Sequence, residues 1–145
     1  MKDLLNAIKT QLQTDLTYVR DSDIYITEDL RLVPDSVSFP AVGLKDGAIF
    51  YAIETQNQEE DTLEVIIAAY VELRKPEASI MGDVATDKKG VLDIIADVIA
   101  ALSGETLSGQ ADVAVPVSET PSELLADEDT AIQMKTITMR YSRYD

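Results

Sequence analysis

The sequence predicts an α+β domain: a mainly antiparallel sheet of about six strands with two helices packed on one face. Three observations carry this expectation. Two segments, one near the N-terminus and one over residues 91–102, repeat their apolar residues at a helical period. Several shorter segments alternate apolar with polar residues or are rich in β-branched and aromatic types. The strand-like segments come in groups, in the order α-β-β-β-β-α-β-β, as hairpin-linked strands with segregated helices do.

Leu5, Ile8, Leu12, Leu16 and Val19 fall on one helical face, which predicts a helix over about residues 3–17 with Asp3 as its N-cap. Ile24, Tyr25 and Ile26 read as a short strand. Pro34 and Pro40 bracket a loop, and Phe39-Pro40-Ala41-Val42-Gly43-Leu44 leads into the next strand, with Pro40 at its start because proline cannot donate to a ladder. Asp46-Gly47 is a short-hairpin signal and predicts a turn there, with a returning strand through Ile49–Glu54. Residues 55–61 are wholly polar and read as a turn. Leu63, Val65, Ile67, Ala69, Val71 and Leu73 then alternate with Glu64, Ile66, Ala68, Tyr70 and Glu72, the longest strand of the chain. Its second face is apolar only in the middle, so cover by another subunit or a helix is expected there. Pro76 stops it.

Val91, Ile94, Ile95, Val98, Ile99 and Leu102 define the second helix, with Gly104 just past its end and Thr86 or Asp87 as its cap. Gly90 inside that start is expected to cost about 1 kcal/mol. Residues 111–117 read as a strand interrupted or ended by Pro116, and residues 118–130 as a loop or a short helical turn. The last strand runs from Ile132, and its apolar residues change parity between Met134 and Ile137. That change predicts a bulge, or a strand that uses opposite faces at its two ends.

The chain has 145 residues, 12 Lys plus Arg and 27 Asp plus Glu, for a net charge of −15. At this length a single domain, 1–145, is the expectation. The absence of Cys excludes disulfides, thiolate metal sites and cysteine nucleophiles, and the absence of His excludes imidazole bases and most transition-metal sites. The acid excess is spread evenly along the chain and argues against backbone binding to nucleic acid and against anionic membrane. No continuous apolar run approaches the length of a membrane span, and cytoplasmic residence is the simplest expectation.

No nucleotide-binding glycine loop and no nucleophile elbow is present. Asp21-Ser22-Asp23 and Asp127-Glu128-Asp129 lack the continuation of a calcium loop and read as solvated acidic turns. Asp93 and Asp97 lie on the polar side of the second helix, where they repel mildly. Tyr18, Tyr25, Tyr51, Tyr70, Tyr141 and Tyr144 read as core-edge or interface residues. The expectation is a protein that is not an enzyme, with no cofactor and no metal. Apolar surface left over on the long strand and the last strand points instead to subunit packing through Ile66, Ala68, Tyr70 and Tyr141.

The element order and local texture resemble the tail terminator (tail-completion, minor tail) proteins of long-tailed bacteriophages and prophages. The resemblance lies in the amphipathic first helix, then Phe39-Pro40-Ala41-Val42-Gly43-Leu44, then the long strand from Leu63 to Val71, then a helix and two strands ending in Met139-Arg140-Tyr141. It spans nearly the whole chain as a pattern, and neck and head-closure proteins share similar texture. It implies an α+β subunit assembling into a ring, usually a hexamer, that caps the tail tube and meets the head connector. The implied partners are further copies, tail-tube and head-connector proteins, with no membrane and no sequence-specific nucleic acid. The implied location is host cytoplasm during assembly, then the virion tail. In such a ring Glu59, Glu60 and Asp61, and Asp127, Glu128 and Asp129, line the DNA passage, meet a basic partner or face solvent. A non-phage acidic binding module and a carboxylate-only enzyme are the rival classes; the latter needs buried acids converging in a pocket.

Overall fold

The computed structural model describes residues 1–51, 60–73, 75–126 and 131–144. A six-stranded sheet carries the helices on one face. The strands are β1 (Ile24–Ile26), β2 (Ala41–Phe50), β3 (Glu60–Glu72), β4 (Val113–Glu119), β5 (Glu123–Ala126) and β6 (Ala131–Tyr144). Their spatial order is β1-β2-β3-β6-β4, with β5 pairing β6 below β4 on the same side. β1 runs parallel to β2, and all other pairs are antiparallel.

The helices are α1 (Lys2–Asp15), the single-turn-and-a-half α2 (Pro76–Met81) and α3 (Val91–Leu102). Leu4, Ile8, Leu12 and Leu16 of the first helical segment, and Ile94, Ile95, Val98 and Leu102 of α3, are buried in one core against Leu63, Val65, Ile67, Ile137, Met139 and Tyr141. Each such side chain contributes about 1.5–3 kcal/mol relative to exposure. The two apolar stripes are therefore accounted for by helix-on-sheet packing. Asp3 lies within the first turn and Met1 is the N-cap, so the carboxylate favours the helix start through its dipole rather than as a cap. Gly90 is the N-cap of α3, outside the helix, and the cost expected of it does not arise. A Cβ there would overlap the Ile80 carbonyl and the Gly82 nitrogen. Asp93 accepts from the Gly90 amide at 3.0 Å, which ties off one orphan donor.

Four expectations are corrected. No hairpin forms at Asp46-Gly47: β2 runs straight through it, with a bulge between Asp46 and Ile49. Gly47 is needed because a Cβ there would lie 2.7 Å from the Glu64 carbonyl oxygen, where two strand backbones approach. Pro76 does more than stop β3, since it opens α2, where its missing N–H costs nothing. Residues 123–126 form strand β5 rather than loop or helix. Pro116 lies inside β4, at the sheet edge, and the strand continues past it with a register shift before Ser118.

The parity change in the last strand resolves without a bulge toward β3. β6 pairs with β3 in one unbroken register from Tyr144 to Ile132. Ile137, Met139 and Tyr141 face the helices, whereas Met134 belongs to a second cluster on the opposite face. That second cluster joins Met134 to Ala41, Ala68, Tyr70 and Leu30, and Val33, Val37 and Phe39 pack on it. The cover expected from another subunit or a helix is thus supplied by the 27–40 loop of the chain itself.

Candidate functional site

The loop is held down by two polar anchors. Tyr70 Oη donates to the Leu30 carbonyl, and the Tyr70 ring stacks on Tyr25 with centroids 6.2 Å apart. Asp23, at 2% exposure, accepts from Arg20 Nε at 2.7 Å and from the Ser38 amide at 3.0 Å. The Arg20 hydrogen bond is the main cause holding the Asp23 carboxyl below its ordinary value, against an opposing cost of burial. Asp23 is therefore a buried structural carboxylate, which corrects the expectation of a solvated acidic turn at residues 21–23.

The residues expected at a subunit interface divide in two. Ala68 and Tyr70 are fully buried beneath the 27–40 loop, and Tyr141 is fully buried under the helices, its hydroxyl without a hydrogen-bond partner. Their packing partners lie in the same chain, so these three are corrected from interface to core. Ile66 is half-buried, at the margin of the second cluster. Glu59, Asp127, Glu128 and Asp129 lie outside the described residues. Glu60 opens β3 opposite Tyr144, and Asp61 is half-buried opposite Arg143.

Beyond the loop, the same sheet face is uncovered. Register places Phe50, Thr62, Glu64 and Ile66 beside Thr138, Arg140 and Ser142, and these beside Val113 and Val115. Phe50 is 53% exposed and Val115 42%. Glu64 and Arg140 are direct cross-strand partners, 3.8 Å apart, so much of the charge on this face is balanced internally. In a chain of net charge −15 this is an apolar, nearly neutral surface. Phe50, Val113 and Val115 were absent from the sequence-based candidates because alternation alone does not tell which face of an edge strand stays open.

The carboxylate pairs have local structural partners. Asp97 accepts from Tyr18 Oη at 2.7 Å and lies 3.4 Å from Lys89 Nζ, while Asp93 caps α3. Burial, then the Asp97 hydrogen bond, raises the Tyr18 hydroxyl far above the ordinary phenol value, and burial does the same to Tyr70 and Tyr141. Among the described residues no three acids converge as a metal site would require, and no helix is long and apolar enough to cross a membrane.

No family model matches the chain, and no curated protein matches it. Among solved structures, it is similar to a chain from the virion of a native gene transfer agent particle, at 16% identity and a TM-score of 0.53. The match covers 98% of this chain and 95% of that one. The two chains share a fold over nearly their full lengths, and at this identity the likeness is one of fold.

Proposed function

We propose that the chain is a structural subunit of a phage-like particle, a tail terminator whose copies close into a hexameric ring. In this reading the ring caps the tail tube, stops its growth and presents a surface to the head connector. It works by surface complementarity, with no reaction. The observation that carries the reading is the end-to-end fold likeness to a gene transfer agent virion chain, which leaves almost no part of either chain over.

The uncovered sheet face supports self-assembly. Like charges repel, so a chain of −15 associates with itself where its surface is apolar and neutral. Phe50, Ile66, Val113 and Val115 around the Glu64–Arg140 pair make such a surface. In a ring this patch meets a different patch on the neighbour, the heterologous contact that closes under rotation.

Native mass spectrometry across a concentration series tests the reading. A closed assembly of six copies is expected, weakened by Phe50→Glu or Val115→Glu while circular dichroism and urea unfolding of the subunit stay as in the wild type. A strict monomer at every concentration would overturn the ring.

A further inference from the structure

The structure assigns a second contact to this assembly, and it starts from the distribution of the scarce positive charge. Of 12 basic residues against 27 acids, three lysines line one cleft of about 250 Å³. Lys75 precedes α2, and Lys88 and Lys89 precede α3, so the two short connections flanking α2 bring them together. The turn that carries Lys88 is closed by two backbone hydrogen bonds, Asp83 N to Lys88 O at 2.8 Å and Lys88 N to Asp83 O at 3.0 Å. Lys89 is tethered to Asp97 and lies 5.1 Å from the centre of the Tyr18 ring. Lys75 and Lys88 make no ion pair among the described residues.

Phe39, Pro40, Val71 and Ala78 also line the cleft, and the acids there are Glu72 and Asp83. Asp83 Oδ1 already accepts from the Ala85 amide at 3.0 Å. An apolar lining rimmed by ammonium groups fits a peptide that offers an apolar side chain followed by carboxylates. A phosphate backbone would leave the apolar walls unused.

The chain carries such a peptide. Leu124 of β5 is 51% exposed, and Asp127, Glu128 and Asp129 follow β5 in sequence. A heterologous contact needs two unlike, complementary patches on one chain, and the basic cleft and this segment form such a pair. We propose that the cleft of one copy receives the Glu123–Asp129 segment of a second copy, with Leu124 against the apolar walls and the following carboxylates at Lys75 and Lys88. The inference rests on the ring reading and gives the acidic loop a basic neighbour in place of a lumen.

The test is a charge exchange followed by native mass spectrometry at low salt. One variant is Lys75→Glu with Lys88→Glu; the other is Asp127→Lys with Glu128→Lys and Asp129→Lys. Each alone is expected to associate about tenfold or more weakly than the wild type. Mixed in equal amounts they regain association as an alternating assembly, because each cleft then meets a segment of opposite sign. If the wild type assembles and both variants assemble equally well, this contact is overturned and the ring stands. If mixing fails to restore association while one chain carrying both sets of changes succeeds, the segment sits in its own chain's cleft and the proposal is overturned. A wild type that stays monomeric overturns the ring and this contact together.

Discussion

Tyr70 donates its hydroxyl to the Leu30 carbonyl, so a residue in the middle of the longest strand anchors the loop that covers it. The hydrogen bond crosses the second face of the sheet and is buried at both ends. Tyr70→Phe keeps the ring and removes the donor, which leaves that carbonyl unsatisfied. A loss of about 1–3 kcal/mol in urea unfolding is expected. Tyr70→Glu would place an unpaired carboxylate in the same site and read out unfolding rather than dissociation.

Asp23 gives the fold a dependence on acid. Its folded carboxyl is held below the ordinary value of 3.8 by Arg20, so the pair stabilises fully above that value and is lost as pH falls through and beneath it. Asp23→Asn is expected to cost about 1–3 kcal/mol near neutrality. The gap between variant and wild type narrows in unfolding curves taken at progressively lower pH.

The buried phenols make the complementary prediction for alkali. Tyr18, Tyr70 and Tyr141 are kept neutral in the folded state, while the unfolded chain ionises them near 10.0. Their contribution is complete below that pH and is lost as pH climbs above it. Tyrosinate absorbance from these three rises together with the loss of the circular dichroism signal. A rise in that signal from the three while the fold persists contradicts the burial described.

Gly47→Ala is expected to destabilise by about 1–3 kcal/mol, the range for forcing atoms into a packed site. The new methyl group would meet the Glu64 backbone, which cannot rotate away as a side chain would. Thermal unfolding measures it, and an unchanged midpoint contradicts the close approach of β2 and β3 at this point.

Much of the fold is legible in the sequence where a long periodic stripe repeats its instruction. The stripes of α1 and α3 and the alternation of β3 each use many residues to specify one face. Short signals are read less well because their meaning depends on tertiary contacts. Asp46-Gly47 encodes either a turn or a bulge, and only the passage of β3 beneath it selects the bulge. Residues 76–81 are too few to show a helical period, and Pro76 reads as a stop or as a helix start with equal ease. The functional surfaces are harder still. Tyr70 and Phe50 look alike as aromatic residues in strands, yet one lies under the 27–40 loop and the other beyond its reach. Lys88 and Lys89 are a visible basic pair in an acidic chain, but Lys75 joins them only when the structure brings the ends of β3 and α3 together.

The outer strands carry a consequence for how copies can be added. β1 is three residues long, β5 is four, and β4 is broken by Pro116 and the register shift beside it. Such margins are poor templates for another backbone. Recruitment through main-chain pairing is open-ended, since each arriving strand exposes a fresh edge. Blocking that route leaves the number of copies to the angle at which side-chain surfaces meet, and an angle can bring a chain of contacts back to its start.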